Sequence, residues 1–210
     1  MTEQHITDEM IWQSVARERT TLVELLRGRP ETAWDTPSLC DGWRVRDVVA
    51  HLVLATRYTL GSILVGLIRA RGNIDRFVRD SAIRHAERTP TADLLAELRA
   101  VIDSHVIPIG TAPIDRLMDL LVHGQDIAVP LGVERVMPPA PAQWSLERVW
   151  TMGKPFHARE RLAGYALSTT DTGWSTGTGT PLAGTAAELL LVATGRVSAA
   201  QQIRSASGRR

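Results

Sequence analysis

The stretches that decide the fold and the site are residues 39–52, with the sequence LCDGWRVRDVVAHL, and residues 119–126, with the sequence DLLVHGQD. Each carries a histidine among apolar residues at helical spacing, His51 in the first and His123 in the second. Asp119 stands four residues before His123, and side chains four apart lie one above the other on a helix. The pattern predicts that Asp119 and His123 point at one position and that His51, from another helix, completes a three-ligand metal site. Three protein ligands with an open fourth position are typical of catalytic zinc.

Length and composition are those of an ordinary globular protein. The chain has 210 residues, which suits one domain or one domain with a small addition, and it is 44% hydrophobic and 22% charged. The net charge of +1 gives no reason to expect a nucleic-acid or membrane partner. Cys40 is the single cysteine, so no intrachain disulfide can form, and the chain does not start with the apolar run of a signal peptide. We therefore expect a soluble, cytoplasmic protein.

Four segments combine apolar helical periodicity with helix end signals, and together they predict a helix bundle. They are residues 8–27, 43–70, 91–106 and 113–128. The first is expected to be capped by Thr7 or Asp8 and ended by Gly28, and the second to be capped by Asp41. The polar residues 71–88 between the second and third segments predict a lid or an irregular helix.

Beyond residue 130 the sequence becomes rich in Pro, Thr and Gly. The prolines at positions 138, 139 and 141 predict a semi-rigid linker. The elements expected after it are a short helix at 145–152, strands at 161–168 and within 169–184, and a helix at 186–194 ended by Gly195. The predicted fold is mainly α, with a four-helix bundle in residues 1–135 followed by a small α+β domain in residues 142–205.

The histidine stretches also have explanations that need no metal. Asp119 and His123 fit the solvated face of a surface helix, since exposed charges need no special role, and His51 fits a core histidine bonded to a carbonyl. Against the first explanation, Leu120 and Val122 widen the apolar arc to nearly the whole helix, which predicts burial on most sides. A buried carboxylate–histidine pair needs a partner such as a metal.

Cys40 is a second candidate for chemistry, as a nucleophile. It precedes the start of a predicted helix, where the helix dipole favours a thiolate. No histidine is near it in sequence, however, and a single cysteine is more often a small buried hydrophobic residue. The metal site is therefore the favoured interpretation.

Short motifs spread along the chain point to one family. They are residues 40–43 (CDGW), 47–52 (DVVAHL), 119–127, 130–132 (PLG), 161–164 (RLAG), 170–174 (TDTGW) and 194–196 (TGR). Together they resemble the mycothiol-dependent maleylpyruvate isomerase family, within the DinB-like metal-binding four-helix-bundle superfamily, over about residues 8–204. The resemblance implies a divalent metal, usually zinc, held by His51, Asp119 and His123. It also implies mycothiol, the thiol that actinobacteria use in place of glutathione, as cosubstrate.

The chemistry implied by the resemblance is that of a thiol transferase or isomerase, in which a metal-bound thiolate attacks a small electrophilic substrate. Two positions depart from the family: Asp119 stands where the isomerase has Glu, and Arg44 where the family often has a hydroxyl residue. The downstream motifs offer Arg161 and Arg196 as candidates for holding an anionic substrate. A non-catalytic bundle that binds metal or small ligands, and hydrolysis by metal-activated water, fit the same residues. The sequence leaves the second substrate, other catalytic residues and the oligomeric state open.

Overall fold

In a computed structural model that describes residues 6–108 and 110–207, the chain divides into two compact units. The first unit extends to Arg135 and the second begins at Val136. Most described residues are helical, and a small three-stranded sheet lies in the second unit. Every helix in the described part of the chain is too short or too polar to span a lipid bilayer.

The first unit is a four-helix bundle with three further helices packed outside it. Its helices in the described residues are α1 (Asp8–Leu26), α2 (Glu31–Trp34), α3 (Val45–Leu54), α4 (Leu60–Arg69), α5 (Ile74–Arg88), α6 (Thr91–Ala100) and α7 (Pro113–Ala128). α1, α6, α3 and α7 form a closed ring in that order, each packing against its two neighbours, while α5 packs on α3 and α4 on α5. The predicted fold class, mainly α with a bundle followed by a small α+β domain, is confirmed.

Local hydrogen bonds explain where the first bundle helices begin and end. The Thr7 side chain accepts from the Met10 amide at 3.3 Å, as predicted, and Gly28 follows α1 with a φ of +71°. The predicted cap at Asp41 is wrong. The N-cap of α3 is instead Arg44, whose backbone amide donates to the Asp47 side chain at 2.8 Å.

The predicted long helix at 43–70 is two helices. Thr59 and Ser62 cap the second one reciprocally: Thr59 Oγ1 accepts from the Ser62 amide at 3.2 Å, and Ser62 Oγ accepts from the Thr59 amide at 2.9 Å. The polar residues 71–88 do not form an irregular lid, because most of them belong to the regular helix α5, capped by Asn73. The third predicted helix ends at Ala100 and not at 106.

The bundle core brings α3 and α7 face to face. Its fully buried side chains include Leu22, Val48, Val49, Leu52, Leu94, Leu98, Leu117 and Leu121. Burying one such side chain is worth about 1.5–3 kcal/mol, so the set fixes the rotation of each helix about its axis. This rotation directs His51 of α3 towards α7.

The second unit surrounds a mixed sheet. Its elements are α8 (Pro139–Thr151), α9 (Ala158–Arg161), β1 (Tyr165–Thr169), β2 (Ser175–Gly177), β3 (Thr180–Gly184), α10 (Ala186–Ala193) and α11 (Ala199–Ser207). β1 is central, antiparallel to β2 and parallel to β3. Gly195, with a φ of +82°, follows α10 as predicted.

The predicted proline linker is wrong. Pro139 is the first residue of α8 and Pro141 lies in its first turn. A helix tolerates proline there because these residues need no amide donor and their fixed φ suits a helix. The three prolines therefore start a helix of the second unit instead of separating two domains.

Candidate metal centre

The structure brings together the three residues that the sequence selected. His51 lies in the last turn of α3, and Asp119 and His123 lie on successive turns of α7. Asp119 Oδ1 is 3.4 Å from His51 Nε2 and 3.4 Å from His123 Nε2. The two imidazole rings are 4.9 Å apart in a T-shaped arrangement, and the three potential ligand atoms lie within 4.8 Å of one another.

These separations fit one metal ion. Ligand bonds of about 2.0–2.1 Å at tetrahedral angles place neighbouring ligand atoms about 3.3 Å apart. The two nitrogen–oxygen distances of 3.4 Å match this value, and they exceed those of ordinary hydrogen bonds. The donor set of two imidazoles and a carboxylate is one that zinc accepts.

Asp126 orients the His123 ring. Its carboxylate is fully buried, and Asp126 Oδ2 lies 2.8 Å from His123 Nδ1. Since a carboxylate oxygen accepts, His123 donates from Nδ1 and Nε2 faces Asp119 Oδ1. Two acceptor atoms facing each other repel unless a proton or a cation lies between them. Metal-bound histidines commonly have a carboxylate on the opposite ring nitrogen in this way.

The protonation states follow from burial and from these charges. Burial alone would lower the pKa of His123, but the Asp119 and Asp126 carboxylates outweigh it and hold that pKa well above its usual value. Burial lowers the pKa of His51, with Asp119 opposing it. Burial would raise the pKa of Asp119, yet the two imidazoles hold it well below its usual value. These shifts favour an ionised Asp119, an uncharged His51 and a protonated His123, so metal binding at His123 would release a proton.

Arg116 fixes the second oxygen of Asp119. Its guanidinium is almost fully buried and donates to Asp119 Oδ2 at 2.7 Å. The same group donates to the Ala55 carbonyl at the end of α3, at 3.4 Å. Arg116 therefore joins α7 to α3 beside the centre and leaves Oδ1 to face the imidazoles.

Cys40 lies behind His123, although the sequence places no histidine near it. Its thiol donates to Asp126 Oδ2 at 3.0 Å and is 3.6 Å from His123 Nδ1. The Leu39 amide donates to the Asp126 carbonyl at 3.2 Å, which anchors this loop on α7.

Cys40, His123 and Asp126 also form a possible ligand set. Ligands of one zinc ion would separate by about 3.3 Å for nitrogen and oxygen, and by about 3.5 Å for sulfur and oxygen. The observed 2.8 Å and 3.0 Å are hydrogen-bond distances. This group is therefore a hydrogen-bonded chain that supports His123, and its thiol is engaged rather than poised as a nucleophile.

Trp43 covers the two imidazoles. Its ring centroid is 5.4 Å from that of His51, edge to face, and 6.2 Å from that of His123, with only 11° between the planes. A groove of about 470 Å³ beside this loop is lined by Cys40, Trp43 and Arg44 among others, but by none of the three proposed metal ligands. Space of this size suits a small molecule.

The sequence analysis gave no role to three of these supporting residues, although helical spacing was a signal for two of them. Arg116 and Asp126 stand three residues before Asp119 and three after His123, on the same helix face. Trp43 had no comparable signal, because its contacts depend on how the loop before α3 folds back on the bundle.

The two arginines suggested by the downstream motifs lie in the second unit. Arg161 donates to the carbonyls of Phe156, Val192 and Ala193, at 3.1–3.3 Å, and thereby closes the C-terminal end of α10. Arg196 donates to the Thr194 carbonyl at 3.1 Å. The bonds of Arg161 give that residue a structural role, and a role for either arginine in holding substrate stays a prediction.

Comparison with known proteins agrees with the resemblance seen in the sequence. Residues 15–106 match the family model of the mycothiol maleylpyruvate isomerase N-terminal domain. The crystal structure of the mycothiol-dependent maleylpyruvate isomerase is similar, with a TM-score of 0.61 and 14% identity over 94% of this chain and 93% of that one. A histidine-to-alanine mutant of that isomerase gives a TM-score of 0.59 at the same identity and coverage. No curated protein matches the chain in sequence. The resemblance to this family is thereby confirmed, and the structural similarity establishes the fold.

Proposed function

We propose that the protein is a metal-dependent enzyme that uses mycothiol to act on a small electrophilic substrate, as an isomerase or an S-transferase in the cytoplasm. The observation that carries the proposal is the convergence of His51, Asp119 and His123 at the separations that one divalent metal requires. The match to the mycothiol maleylpyruvate isomerase N-terminal domain supports the choice of thiol.

The residues divide into those that hold the metal and those that hold its ligands. His51 Nε2, Asp119 Oδ1 and His123 Nε2 would bind the ion, for which zinc is the best fit. When bound, zinc with an open fourth position lowers the pKa of a coordinated thiol and so supplies a nucleophile at neutral pH. Arg116 holds the Asp119 carboxylate in place and Asp126 holds the His123 ring. Trp43 packs against both imidazole rings.

Metal content tests the first half of the proposal. Elemental analysis of the purified protein should find about one divalent ion per chain, with zinc most abundant. His123→Ala should lose that ion because it removes a ligand. His105→Ala is the matched control, since His105 stacks on Trp12 and takes no part in the centre. A His123→Ala protein that still holds one metal ion per chain would contradict the assignment of the ligands.

Thiol titration of cobalt-substituted protein tests the second half. Adding mycothiol should produce the intense near-ultraviolet band of a cobalt thiolate, which water as fourth ligand does not give. Turnover of an electrophile should then require both metal and thiol. A cobalt protein that shows no such band at saturating thiol would leave hydrolysis, or binding without catalysis, as the function.

A further inference from the structure

A second groove lies in the first unit between α4 and α5. Its volume is about 540 Å³, within the range of about 300–1,000 Å³ typical of small-molecule sites. None of the three proposed metal ligands lines it. The groove is therefore distinct from the proposed metal position, although its Tyr58, whose pKa burial raises, lies close enough to Asp119 for that carboxylate to raise the pKa further. The proposed function leaves the groove without a role.

The basic side chains that line this groove are not balanced by any carboxylate in the described part of its lining. They are Arg57, Arg69, Arg84, His85 and Arg88. Glu97 of α6 bonds two of them, Arg57 at 2.8 Å and His85 at 2.6 Å. Among the described residues, the other three arginines form no ion pair with a carboxylate. The groove thus keeps an uncompensated positive charge on both of its helices.

The cluster of arginines at this groove costs folding free energy, because its positive charges repel one another. Arg84 and Arg88 are four residues apart on α5, and like charges at that spacing destabilise a helix by a few tenths of a kcal/mol. Arg69 adds a third positive charge from α4. In a concave surface with apolar walls, charges of one sign raise the local concentration of counter-ions. The charge pattern therefore favours an anionic ligand.

The floor of the groove is apolar and aromatic. A Cβ added at Gly66 would lie 2.0 Å from the Phe77 ring, so the missing side chain lets α4 approach α5 at this point. The Tyr58 and Phe77 rings are 5.2 Å apart, and Leu54 and Val65 complete the apolar lining. A ligand held by the arginines would rest its apolar part on this floor.

We propose that the α4–α5 groove binds a multiply charged organic anion. Arg69, Arg84 and Arg88 would hold its phosphate or carboxylate groups, because guanidinium groups bind both kinds of oxygen pairwise. Tyr58 and Phe77 would contact its apolar body.

Calorimetric titration of the full-length protein tests the proposal with two probes. Inorganic pyrophosphate represents phosphate ligands, and phthalate represents aromatic dicarboxylates. We expect saturable binding of one probe per chain, weakening as salt is raised. The probe that binds more tightly identifies the anionic group. The double variant Arg84→Ala, Arg88→Ala should weaken that binding at least tenfold.

Arg76→Ala is the matched control. Arg76 lies on the same helix but lies outside the groove lining and pairs with Asp80 at 3.7 Å. It should leave the dissociation constant within about twofold. The proposal would be overturned if neither probe showed saturable binding. It would also be overturned if Arg76→Ala weakened probe binding as much as the double variant does, because the probes would then respond only to the diffuse positive charge of the surface. The titration should give the same result after metal removal, because the groove contains none of the three proposed metal ligands. The proposal for the groove can therefore fail or hold independently of the proposal for the metal centre.

Discussion

Asp126 orients the ring of His123, a proposed metal ligand, without being a ligand itself. It accepts from His123 Nδ1 and from the Cys40 thiol through the same oxygen. Asp126→Asn should weaken metal binding about 10–100-fold, because the amide loses the charge that favours His123 as donor from Nδ1. Competition with a chelator of known affinity measures the change.

Cys40→Ser is the control for that experiment. A serine hydroxyl still donates to Asp126, so the metal affinity should stay within a few-fold of the original. If Asp126→Asn binds metal as tightly as the unaltered protein, packing under Trp43 alone orients His123. The hydrogen-bonded chain through Asp126 and Cys40 would then have no role at the centre.

Gly66 sets the distance between α4 and α5, which pack outside the bundle. Gly66→Ala should separate α4 from α5 and cost about 1–3 kcal/mol, since the new Cβ would lie 2.0 Å from the Phe77 ring. Gly61→Ala is the matched control on the same helix, because a Cβ there meets nothing within 4 Å. Since Gly61 lies in the first turn of α4, this change should alter stability by less than about 1 kcal/mol.

Urea unfolding monitored by circular dichroism, together with limited proteolysis of the α4 region, distinguishes the two glycine variants. Gly66→Ala should be cleaved faster in α4 and should bind the anionic probe more weakly. Equal stability of the two alanine variants would contradict the close packing of α4 on α5.

Helix existence could be predicted from the sequence more reliably than helix continuity. The four bundle segments have one strong apolar stripe each, and packing of that stripe determines the helix. Residues 43–70 contain no proline, so their apolar run predicted one helix, although the Thr59–Ser62 capping pair was present as a local signal. The prolines near 139 were misinterpreted because the same residue type starts helices and stiffens linkers.

Part of the candidate site could be predicted and part could not. Asp119 and His123 are a local pair, so helical geometry alone predicted that they converge. The approach of Cys40 to Asp126 joins residues 86 positions apart, and no periodicity encodes it. Such a contact depends on the packing of a loop on α7, which only the whole fold determines.

At the scale of the whole molecule, all three proposed metal ligands lie in the first unit. The last residue of that unit, Arg135, has a buried side chain that forms an ion pair with the buried Glu18 of α1. Its guanidinium lies over Gly124, and its carbonyl accepts from Gln125 Nε2 at 2.7 Å. The segment after α7 is thereby fastened to the bundle, which makes a position just beyond Arg135 the natural end of an independent fragment.

A fragment that ends at Met137 should fold and bind the metal about as tightly as the full chain. A fragment that ends at Gly132 should be less stable by about 3–5 kcal/mol, because it leaves Glu18 buried without its partner. Burial already raises the pKa of Glu18 in spite of Arg135, so removing that arginine makes the ionised form still less favourable. Glu18→Gln should therefore restore most of the lost stability in the shorter fragment. In the longer fragment it should be destabilising, because it leaves the buried Arg135 without its partner. Urea unfolding and metal titration of both fragments, each with and without Glu18→Gln, measure these differences. A longer fragment that folds but binds no metal would show that the centre needs residues beyond Met137.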